Sequence, residues 1–229
     1  MGLPSGARLH VREAVRPDGP AVVVCPGGGL RQVNLDKEGR LLAPWLDERG
    51  VSLAVLEYRM PSAQPLLPQE DVREAVARMR GAEGFGRVGV MGMSVGGYYA
   101  AAAATLLAAP HRPDFQVLLY PLVSMDDALT LVPLRDRIVA PGCPREAAAR
   151  YSPERHVDGE TPRAFIAACD DDPAVSPLNS TAYFAALHAA HVRAELHVYP
   201  YGGHGFATSE DFPFRGELFG ALGRFLGEE

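Results

Sequence analysis

The sequence predicts an α/β fold in which a mostly parallel sheet carries helices on both faces. Short runs that are apolar throughout alternate along the chain with segments whose apolar residues recur every three to four positions, as on one face of a helix. Strands that are apolar on both faces are typical of parallel sheets covered by helices on each side. With 229 residues and 47% hydrophobic content, the chain can bury one sizeable core, and we expect a single domain over residues 1–229.

Six apolar runs predict the strands of this sheet. The first is β-branched and stops at a Pro-Gly pair, which is typical of a strand end. In chain order the six runs are Ala21 to Cys25, Val51 to Tyr58, Arg87 to Met93, Gln116 to Pro121, Arg163 to Cys169 and Ala194 to Pro200. Most of them are followed by a segment long enough for the helical crossover that parallel neighbours require.

Helical spacing of apolar residues predicts these crossovers. The five expected helices cover Lys37 to Arg49, Gln69 to Arg80, an alanine-rich segment that begins after Ser94, Pro177 to Ala190, and about Phe214 to Leu226. The Pro- and Gly-punctuated segment from Ser124 to Thr161 is the least regular part of the chain. It follows the carboxyl end of a strand, where ligands bind in open α/β sheets.

Composition and charge exclude several classes of protein. The formal net charge of -6 provides no basic field for phosphate, so nucleic acid is not an expected partner. The longest apolar run, Tyr98 to Pro110, is too short to span a bilayer, and the first residues lack the apolar core of a signal peptide. The three cysteines fit no metal pattern and suggest a reducing compartment. We therefore expect a cytoplasmic protein that needs neither a membrane nor a metal.

Ser94 stands between two glycines in the stretch GMSVG, which joins a predicted strand to a predicted helix. A strand-to-helix reversal this sharp strains the backbone of the central residue and requires small neighbours two positions away. The helix N-terminus also directs positive partial charge at the serine, which favours a developing oxyanion. An N-capping serine at a glycine turn is the alternative interpretation. Ser94 is therefore the candidate nucleophile.

A serine nucleophile needs a general base, and the chain offers seven histidines. His204 follows the carboxyl end of a strand within the glycine loop YPYGGHGF, so we expect it at the same edge of the sheet as Ser94. The neighbouring glycines leave room for its imidazole to reach the serine. His156 lies in the irregular segment and could also approach, but nothing in its surroundings singles it out. His204 is the predicted base.

A carboxylate that orients the base is expected after the strand that ends at Cys169, in the run Asp170 to Asp172. This run lies between the serine and the histidine, and Ser, Asp, His is the chain order of one large class of serine hydrolases. Asp172 precedes Pro173, where the loop turns back towards the next helix. Asp172 is therefore the predicted acid, and Asp171 is the alternative.

Backbone N–H donors for an oxyanion are expected from the three glycines of CPGGGLRQ, directly after the strand that ends at Cys25. Glycine lets the backbone itself approach a substrate oxygen. A phosphate cradle is the competing interpretation, but neither a G-x-G-x-x-G spacing nor a P-loop lysine follows. The loop therefore adds a fourth part to the candidate site.

On these residues the chain resembles the α/β-hydrolase superfamily, in particular small bacterial serine esterases of the acetylxylan-esterase and lipase/esterase type. The matching stretches extend over most of the chain from about Pro20 onward and include CPGGGL, GVMGMSVGGYYAAAAA, FIAACDDDPAVSPLNS and AELHVYPYGGHGF. The resemblance implies an α/β-hydrolase fold with little or no lid. It also implies Ser94 as nucleophile, His204 as base and Asp172 as acid.

The same resemblance implies an oxyanion hole formed by the N–H of Val95 and the glycine loop, in which Gly28 and Gly29 are favoured together. Two substrate-binding residues are expected. Leu30 stands where relatives often carry an aromatic residue, and Asp126 lies on the leaving-group side, although a carboxylate at a helix start is its alternative role. The resemblance implies no cofactor and no metal.

The implied activity is hydrolysis of short-chain carboxyl esters, acetyl esters above all, and acetylated sugars are among the small-molecule substrates it suggests. A serine peptidase of the prolyl-oligopeptidase type is the alternative enzyme, because it shares the G-x-S-x-G-G elbow. A non-catalytic α/β-hydrolase that binds a ligand is the alternative from a different class.

Overall fold

The computed structural model describes residues 1–14, 19–62, 64, 66–82 and 85–227. The strands in these ranges are β1 Arg8–Arg12, β2 Ala21–Cys25, β3 Ser52–Glu57, β4 Val88–Met93, β5 Gln116–Leu119, β6 Ala164–Cys169 and β7 Ala194–Tyr199. They form one sheet in the order β1-β3-β2-β4-β5-β6-β7. β1 pairs with β3 in antiparallel orientation, and the other pairings are parallel. The predicted mostly parallel sheet is confirmed.

Sequence patterning does not predict β1, which forms one edge of the sheet. Its sequence RLHVR alternates polar and apolar residues, with Leu9 fully buried and both terminal arginines exposed. An edge strand with one wet face lacks the continuous apolar run that identifies the inner strands. Five residues of alternating character are too few to stand out from a loop.

The α-helices in the described ranges are α1 Ala43–Asp47, α2 Leu66–Arg80, α3 Val95–Leu106, α4 Val132–Val139, α5 Arg145–Ala149, α6 Leu178–Ala189 and α7 Arg215–Gly227. The helix predicted over Lys37 to Arg49 is wrong in its first part, because a 3₁₀ helix at Arg40–Leu42 precedes α1. Pro44 has no N–H to donate and therefore fits only the first turn of a helix. α4 and α5 lie in the segment that the sequence marks as least regular.

Two apolar cores lie on opposite faces of the sheet. Residues of α2, α3 and α6 belong to one core, and residues of α1 and α7 belong to the other. Consecutive strand residues alternate between them: Val22 and Val24 contact the α1 and α7 side, whereas Val23 lies in the opposite core. All three are 0% exposed, which is why the strands are apolar throughout. Among the described helices, none combines the length and the apolar character that a bilayer crossing requires.

Parallel pairing brings the loops that carry the candidate functional residues to one edge of the sheet. β4 lies between β2 and β5, with β6 beside β5 and β7 beyond it. Because these five strands point in one direction, their carboxyl ends form one edge of the sheet. The loops at this edge carry the glycine stretch after β2, Ser94, Tyr120, Asp172 and His204.

The α7 face of the sheet depends on Phe225, which is 2% exposed and lies 6.3 Å from Phe115 and 5.7 Å from Phe165 between ring centroids. We expect Phe225→Ala to lower the free energy of unfolding by about 3–5 kcal/mol, because it removes a buried ring and leaves a cavity. Urea denaturation followed by circular dichroism measures the loss. Leu178→Ala, at a 54% exposed position of α6, is the control and is expected to cost less than about 0.5 kcal/mol. Equal losses in the two variants would contradict the packing described.

Candidate active site

Ser94 joins β4 to α3 in a backbone conformation that side chains rarely adopt. Its φ is 55° and its ψ is -125°, a region that is strained for residues other than glycine. The surrounding backbone maintains this strain: the Ser94 N–H donates to the Leu119 carbonyl at 3.1 Å, and the Ser94 carbonyl accepts from the Leu122 N–H at 2.9 Å. The predicted sharp turn is present, and the Ser94 side chain lines a cavity at the carboxyl edge of the sheet.

The two glycines that flank this turn have a steric role. A Cβ at Gly96 would lie 2.0 Å from the Cys25 carbonyl oxygen, so α3 approaches β2 more closely than any side chain permits. A Cβ at Gly92 would lie 2.4 Å from the Gly96 carbonyl oxygen. The spacing of the sequence pattern therefore follows from the contact between α3 and the strands beneath it.

His204 lies in the loop that follows β7. Its Nε2 is 2.9 Å from Ser94 Oγ, and its Nδ1 is 2.7 Å from Asp172 Oδ2. The Tyr120 ring packs edge to face with the imidazole, with ring centroids 4.8 Å apart. The structure thus brings together the three side chains that the sequence singles out.

The Asp172 carboxylate is buried and well hydrogen-bonded. Its side chain is 1% exposed, and Oδ1 accepts from the N–H groups of Ala174 at 2.8 Å and Val175 at 2.9 Å. Burial opposes ionisation, but the hydrogen bond from His204 and those from the two N–H groups outweigh it and lower the pKa of Asp172 below its usual 3.8. Asp172 is therefore ionised at neutral pH.

This ionisation determines which nitrogen of His204 carries the proton. An ionised carboxylate only accepts hydrogen bonds, so Nδ1 donates to Asp172. In the neutral imidazole Nε2 is then the acceptor, and the Ser94 hydroxyl donates to it. In this arrangement a histidine can remove the proton of a serine.

The alternatives that the sequence leaves open have other partners. Asp171 is exposed, and its Oδ1 accepts from the Gly203 N–H at 2.8 Å, so it bonds the backbone of the histidine loop rather than the imidazole. Nε2 of His156 lies 2.8 Å from the Arg150 carbonyl oxygen. The geometry therefore favours Asp172 and His204 as the partners of Ser94.

The glycines after β2 differ in what their N–H groups contact. The Gly27 N–H donates to Glu38 Oε2 at 2.8 Å, so it is not available to a substrate. Gly28 and Gly29 line the cavity. Val95 is the first residue of α3, where helix N–H groups have no partner within the helix. Gly28, Gly29 and Val95 remain the candidates for the oxyanion hole.

Two features define the path of this loop. Gly28 has a φ of 129°, and a Cβ there would lie 2.1 Å from the Gln32 carbonyl oxygen, so the position requires glycine. On the outer side, the guanidinium of Arg137 in α4 donates to the carbonyls of Gly29 and Leu30. A helix from the segment predicted to be irregular therefore holds the glycine loop in place.

Leu30 and Asp126, the two expected substrate contacts, lie outside the cavity lining in the part of the chain that the structure describes. Leu30 has a φ of 59°, in the left-handed region, and its side chain packs in the core that contains residues of α2, α3 and α6, where it is 0% exposed. Asp126 pairs with Arg145 and Arg155 and accepts the Ala128 N–H at 3.1 Å. Asp126 thus begins a turn, close to the helix-start role that was its alternative.

A cavity of about 310 Å³ opens at Ser94 and His204. One loop supplies its polar lining, and two other segments supply its apolar lining. The polar residues are Asn34, Lys37 and Glu38, and the apolar residues are Leu131, Leu134, Ala174 and Val175. Sequence reasoning assigns none of them to the site: Ala174 and Val175 come shortly after the predicted acid Asp172, and the others lie outside the motifs that carry the candidate catalytic residues. The signal that could have identified Asn34, Lys37 and Glu38 is their position in the loop that follows β2.

In the described ranges, no cluster of three or more His, Cys, Asp or Glu side chains is placed to hold a metal ion.

Known proteins resemble this chain in sequence. Residues 69–214 match the model of the prolyl oligopeptidase family. The chain is 29% identical over 219 residues to an acetylxylan esterase of Xylanibacter ruminicola, a match that covers 92% of this chain and 46% of that protein. It is 28% identical over 230 residues to endo-1,4-beta-xylanase B of Butyrivibrio fibrisolvens, covering 92% of this chain and 35% of that protein. The chain spans less than half the length of these curated relatives.

The fold also has counterparts among solved structures. The acetyl ester-xyloside bifunctional hydrolase of Caldicellulosiruptor lactoaceticus superimposes with a TM-score of 0.88 at 25% identity, covering 96% of this chain and 86% of that one. The predicted α/β-hydrolase fold and the predicted resemblance to bacterial esterases are confirmed.

Asp172 is expected to stabilise the protein only where it is ionised. Its pKa in the folded protein lies below the usual 3.8, so its contribution is fully present above that pH and is lost as the pH falls through the lower folded value. Wild type should therefore exceed Asp172→Asn in free energy of unfolding near neutral pH, and the difference should shrink below pH 3.8. Urea unfolding of both proteins across this range measures it. Asp170→Asn, at an exposed position, is the control. If the difference in free energy of unfolding between wild type and Asp172→Asn does not vary with pH, this account is contradicted.

Proposed function

The chain belongs to the prolyl oligopeptidase family, and from this premise we propose that it is a serine esterase that hydrolyses short-chain carboxyl esters. The observation that carries the proposal is the chain of hydrogen bonds from Ser94 through His204 to Asp172. The 29% identity to an acetylxylan esterase supports an ester as the substrate and acetyl as the acyl group.

In the proposed mechanism, Ser94 Oγ attacks the ester carbonyl carbon while Nε2 of His204 takes the hydroxyl proton. Asp172, at 2.7 Å from Nδ1, stabilises the imidazolium that forms. The carbonyl oxygen becomes an oxyanion, and the N–H groups of Val95 and of Gly28 or Gly29 donate to it. Loss of one such donor typically lowers the rate by about 10²–10³-fold.

The tetrahedral intermediate then collapses to an acyl-enzyme. The bond between the carbonyl carbon and the alcohol oxygen breaks, and the alcohol leaves with the proton from His204. Water, deprotonated by His204, attacks the acyl group, and Ser94 recovers its proton as the acid is released. Side chains and backbone groups of this chain suffice for every step.

The lining of the cavity supports a small acyl group and a hydroxylated alcohol. Its apolar residues, among them Leu134 and Val175, suit a short acyl chain, and the volume of about 310 Å³ lies at the low end of ligand pockets. Asn34 and Lys37 offer polar groups to hydroxyls. Acetylated carbohydrates, with small-molecule esters in general, are therefore the proposed substrate class.

Peptidase activity is the second candidate, because the matching family is named for oligopeptidases. Amide hydrolysis would use the same nucleophile, base and acid, so the arrangement of these groups does not separate the two activities. Only an assay with both an ester and a peptide amide distinguishes esterase from peptidase activity.

The first test compares wild type with Ser94→Ala on p-nitrophenyl acetate, acetylated xylo-oligosaccharides and a proline-containing peptide amide. We expect wild type to cleave both esters and Ser94→Ala to lose at least about 10⁴-fold in kcat, because the nucleophile is gone. Ser180→Ala removes a buried serine in α6 and is the matched control that should retain activity.

Other outcomes of this test identify the rival functions. Cleavage of the peptide without cleavage of either ester would establish the peptidase instead. Full activity in Ser94→Ala would reject Ser94 as the nucleophile. If wild type neither turns over a substrate nor reacts with a fluorophosphonate, the result favours the alternative of a non-catalytic domain that binds a ligand.

Leu134 is expected to limit the length of the acyl chain, because it lines the cavity from α4. Leu134→Ala should raise kcat/KM for p-nitrophenyl butyrate relative to p-nitrophenyl acetate by about three- to tenfold. The enlarged cavity can bury the additional methylene groups of butyrate, and burial of each methylene contributes about 0.8 kcal/mol of binding free energy. Val132→Ala, at a 42% exposed position of the same helix, is the control. An unchanged butyrate-to-acetate ratio in Leu134→Ala would remove this helix from the acyl site.

A further inference from the structure

Glu38 places a buried carboxylate in the wall of the cavity. It lies in the turn before the 3₁₀ helix and is only 4% exposed. Its hydrogen-bond donors are all neutral: the Gly27 N–H at 2.8 Å, Asn34 Nδ2 at 3.5 Å and the Tyr120 hydroxyl at 3.0 Å. Burying a carboxylate is costly unless its oxygens are hydrogen-bonded. Two of these donors lie far apart in the sequence, the Gly27 N–H in the glycine loop and the Tyr120 hydroxyl after β5, so Glu38 joins two separate parts of the active site.

The Oε2 atom of Glu38 fixes the start of the glycine loop. It accepts the Gly27 N–H, and Gly28 and Gly29 follow directly. Gly27 also packs against the nucleophile, since a Cβ there would lie 2.8 Å from the Ser94 Cβ. A shift of Gly27 would therefore move the next two N–H groups relative to the serine. Oxyanion donors act only when they lie within hydrogen-bond distance of the developing charge.

The Oε1 atom fixes the aromatic ring beside the general base. It accepts the Tyr120 hydroxyl, and the Tyr120 ring contacts the His204 imidazole edge to face. Tyr120 directly follows β5 with a φ of 40°, a strained conformation that its surroundings must maintain. Burial, and next the neighbouring Glu38 carboxylate, raise the pKa of Tyr120 well above its usual range, so its hydroxyl remains a donor.

We propose that Glu38 is a positioning residue that aligns the oxyanion loop, through Gly27, with the general base, through Tyr120. The proposal rests on the esterase function proposed above. One carboxylate accepts both hydrogen bonds, so the N–H donors and the imidazole keep a fixed relation to each other. Both groups act most strongly on the transition state, so Glu38 affects the rate of the chemical step more than the binding of substrate.

The test measures kcat and KM for p-nitrophenyl acetate, together with the rate at which a fluorophosphonate labels Ser94. Glu38→Ala should lower kcat and the labelling rate by about ten- to a hundredfold with KM within about twofold, because misaligned donors and base weaken transition-state stabilisation. Glu38→Gln retains an oxygen that can accept the Gly27 N–H and should recover a large part of this loss. Tyr120→Phe keeps the ring and loses the hydrogen bond, so its effect should not add to that of Glu38→Gln.

Asp71→Asn is the matched control. Asp71 is a fully buried carboxylate that also accepts a backbone N–H, from Arg59, but it lies on α2 and not in the cavity lining of the described residues. It should lose stability without a comparable loss of kcat. If Glu38→Ala loses no more kcat than Asp71→Asn, or if its KM rises while kcat is unchanged, Glu38 is structural or binds substrate and the proposal is wrong.

Two further outcomes keep the tests separate. If Glu38→Ala does not fold, Tyr120→Phe and its combination with Glu38→Gln decide the question. Additive losses of kcat in the double variant, or no loss of kcat in Tyr120→Phe, would overturn the proposal. If wild type is labelled by the fluorophosphonate but hydrolyses no ester, the proposed substrate is wrong, and the labelling rates of the same variants still test Glu38. Absence of labelling in wild type would overturn both.

Discussion

The arrangement of the site depends on one backbone contact, the approach of the first turn of α3 to the end of β2. Gly96 lies against the Cys25 carbonyl with no room for a methyl group. This contact lets the helix start directly after the strand, which is what forces Ser94 into its positive φ. It also determines how far the N–H of Val95 lies from the glycine loop, because that loop starts at Pro26, next to the same carbonyl. A single close approach therefore places the candidate nucleophile Ser94 and both candidate sources of oxyanion N–H donors.

Much of the site could be predicted because, in a parallel sheet, position along the sequence determines position at the carboxyl edge. Ser94, Asp172 and His204 each follow the carboxyl end of a strand, so their convergence follows from the fold. The preference for Asp172 over Asp171 had a local signal in the turn at the following proline. The choice among the glycines had no such signal, because the contact that occupies the Gly27 N–H comes from a side chain eleven residues away.

What the sequence could not supply are contacts between distant segments with no local pattern. The Glu38 and Tyr120 side chains are 82 positions apart, and Arg137 reaches the Leu30 carbonyl over 107 positions. Leu30 follows the glycine loop, as the sequence shows, yet its side chain is buried in the core and does not line the cavity. The sequence puts it beside the glycine loop, but a positive φ at leucine is imposed by tertiary packing and turns the side chain into the core.

The site is divided between the two halves of the chain, which has a consequence for the order of folding. Ser94 and the glycine loop are synthesised first, whereas His204 arrives with β7, whose partner strand is β6. The hydrogen bond between Ser94 and His204 spans 110 positions, and contacts of such separation form only after a large loss of chain entropy. A nascent chain therefore carries Ser94 without the His204 imidazole beside it until β7 docks on β6. Under the proposed esterase function, the onset of hydrolysis would mark completion of the sheet, and enzymatic activity would report on the final stage of folding.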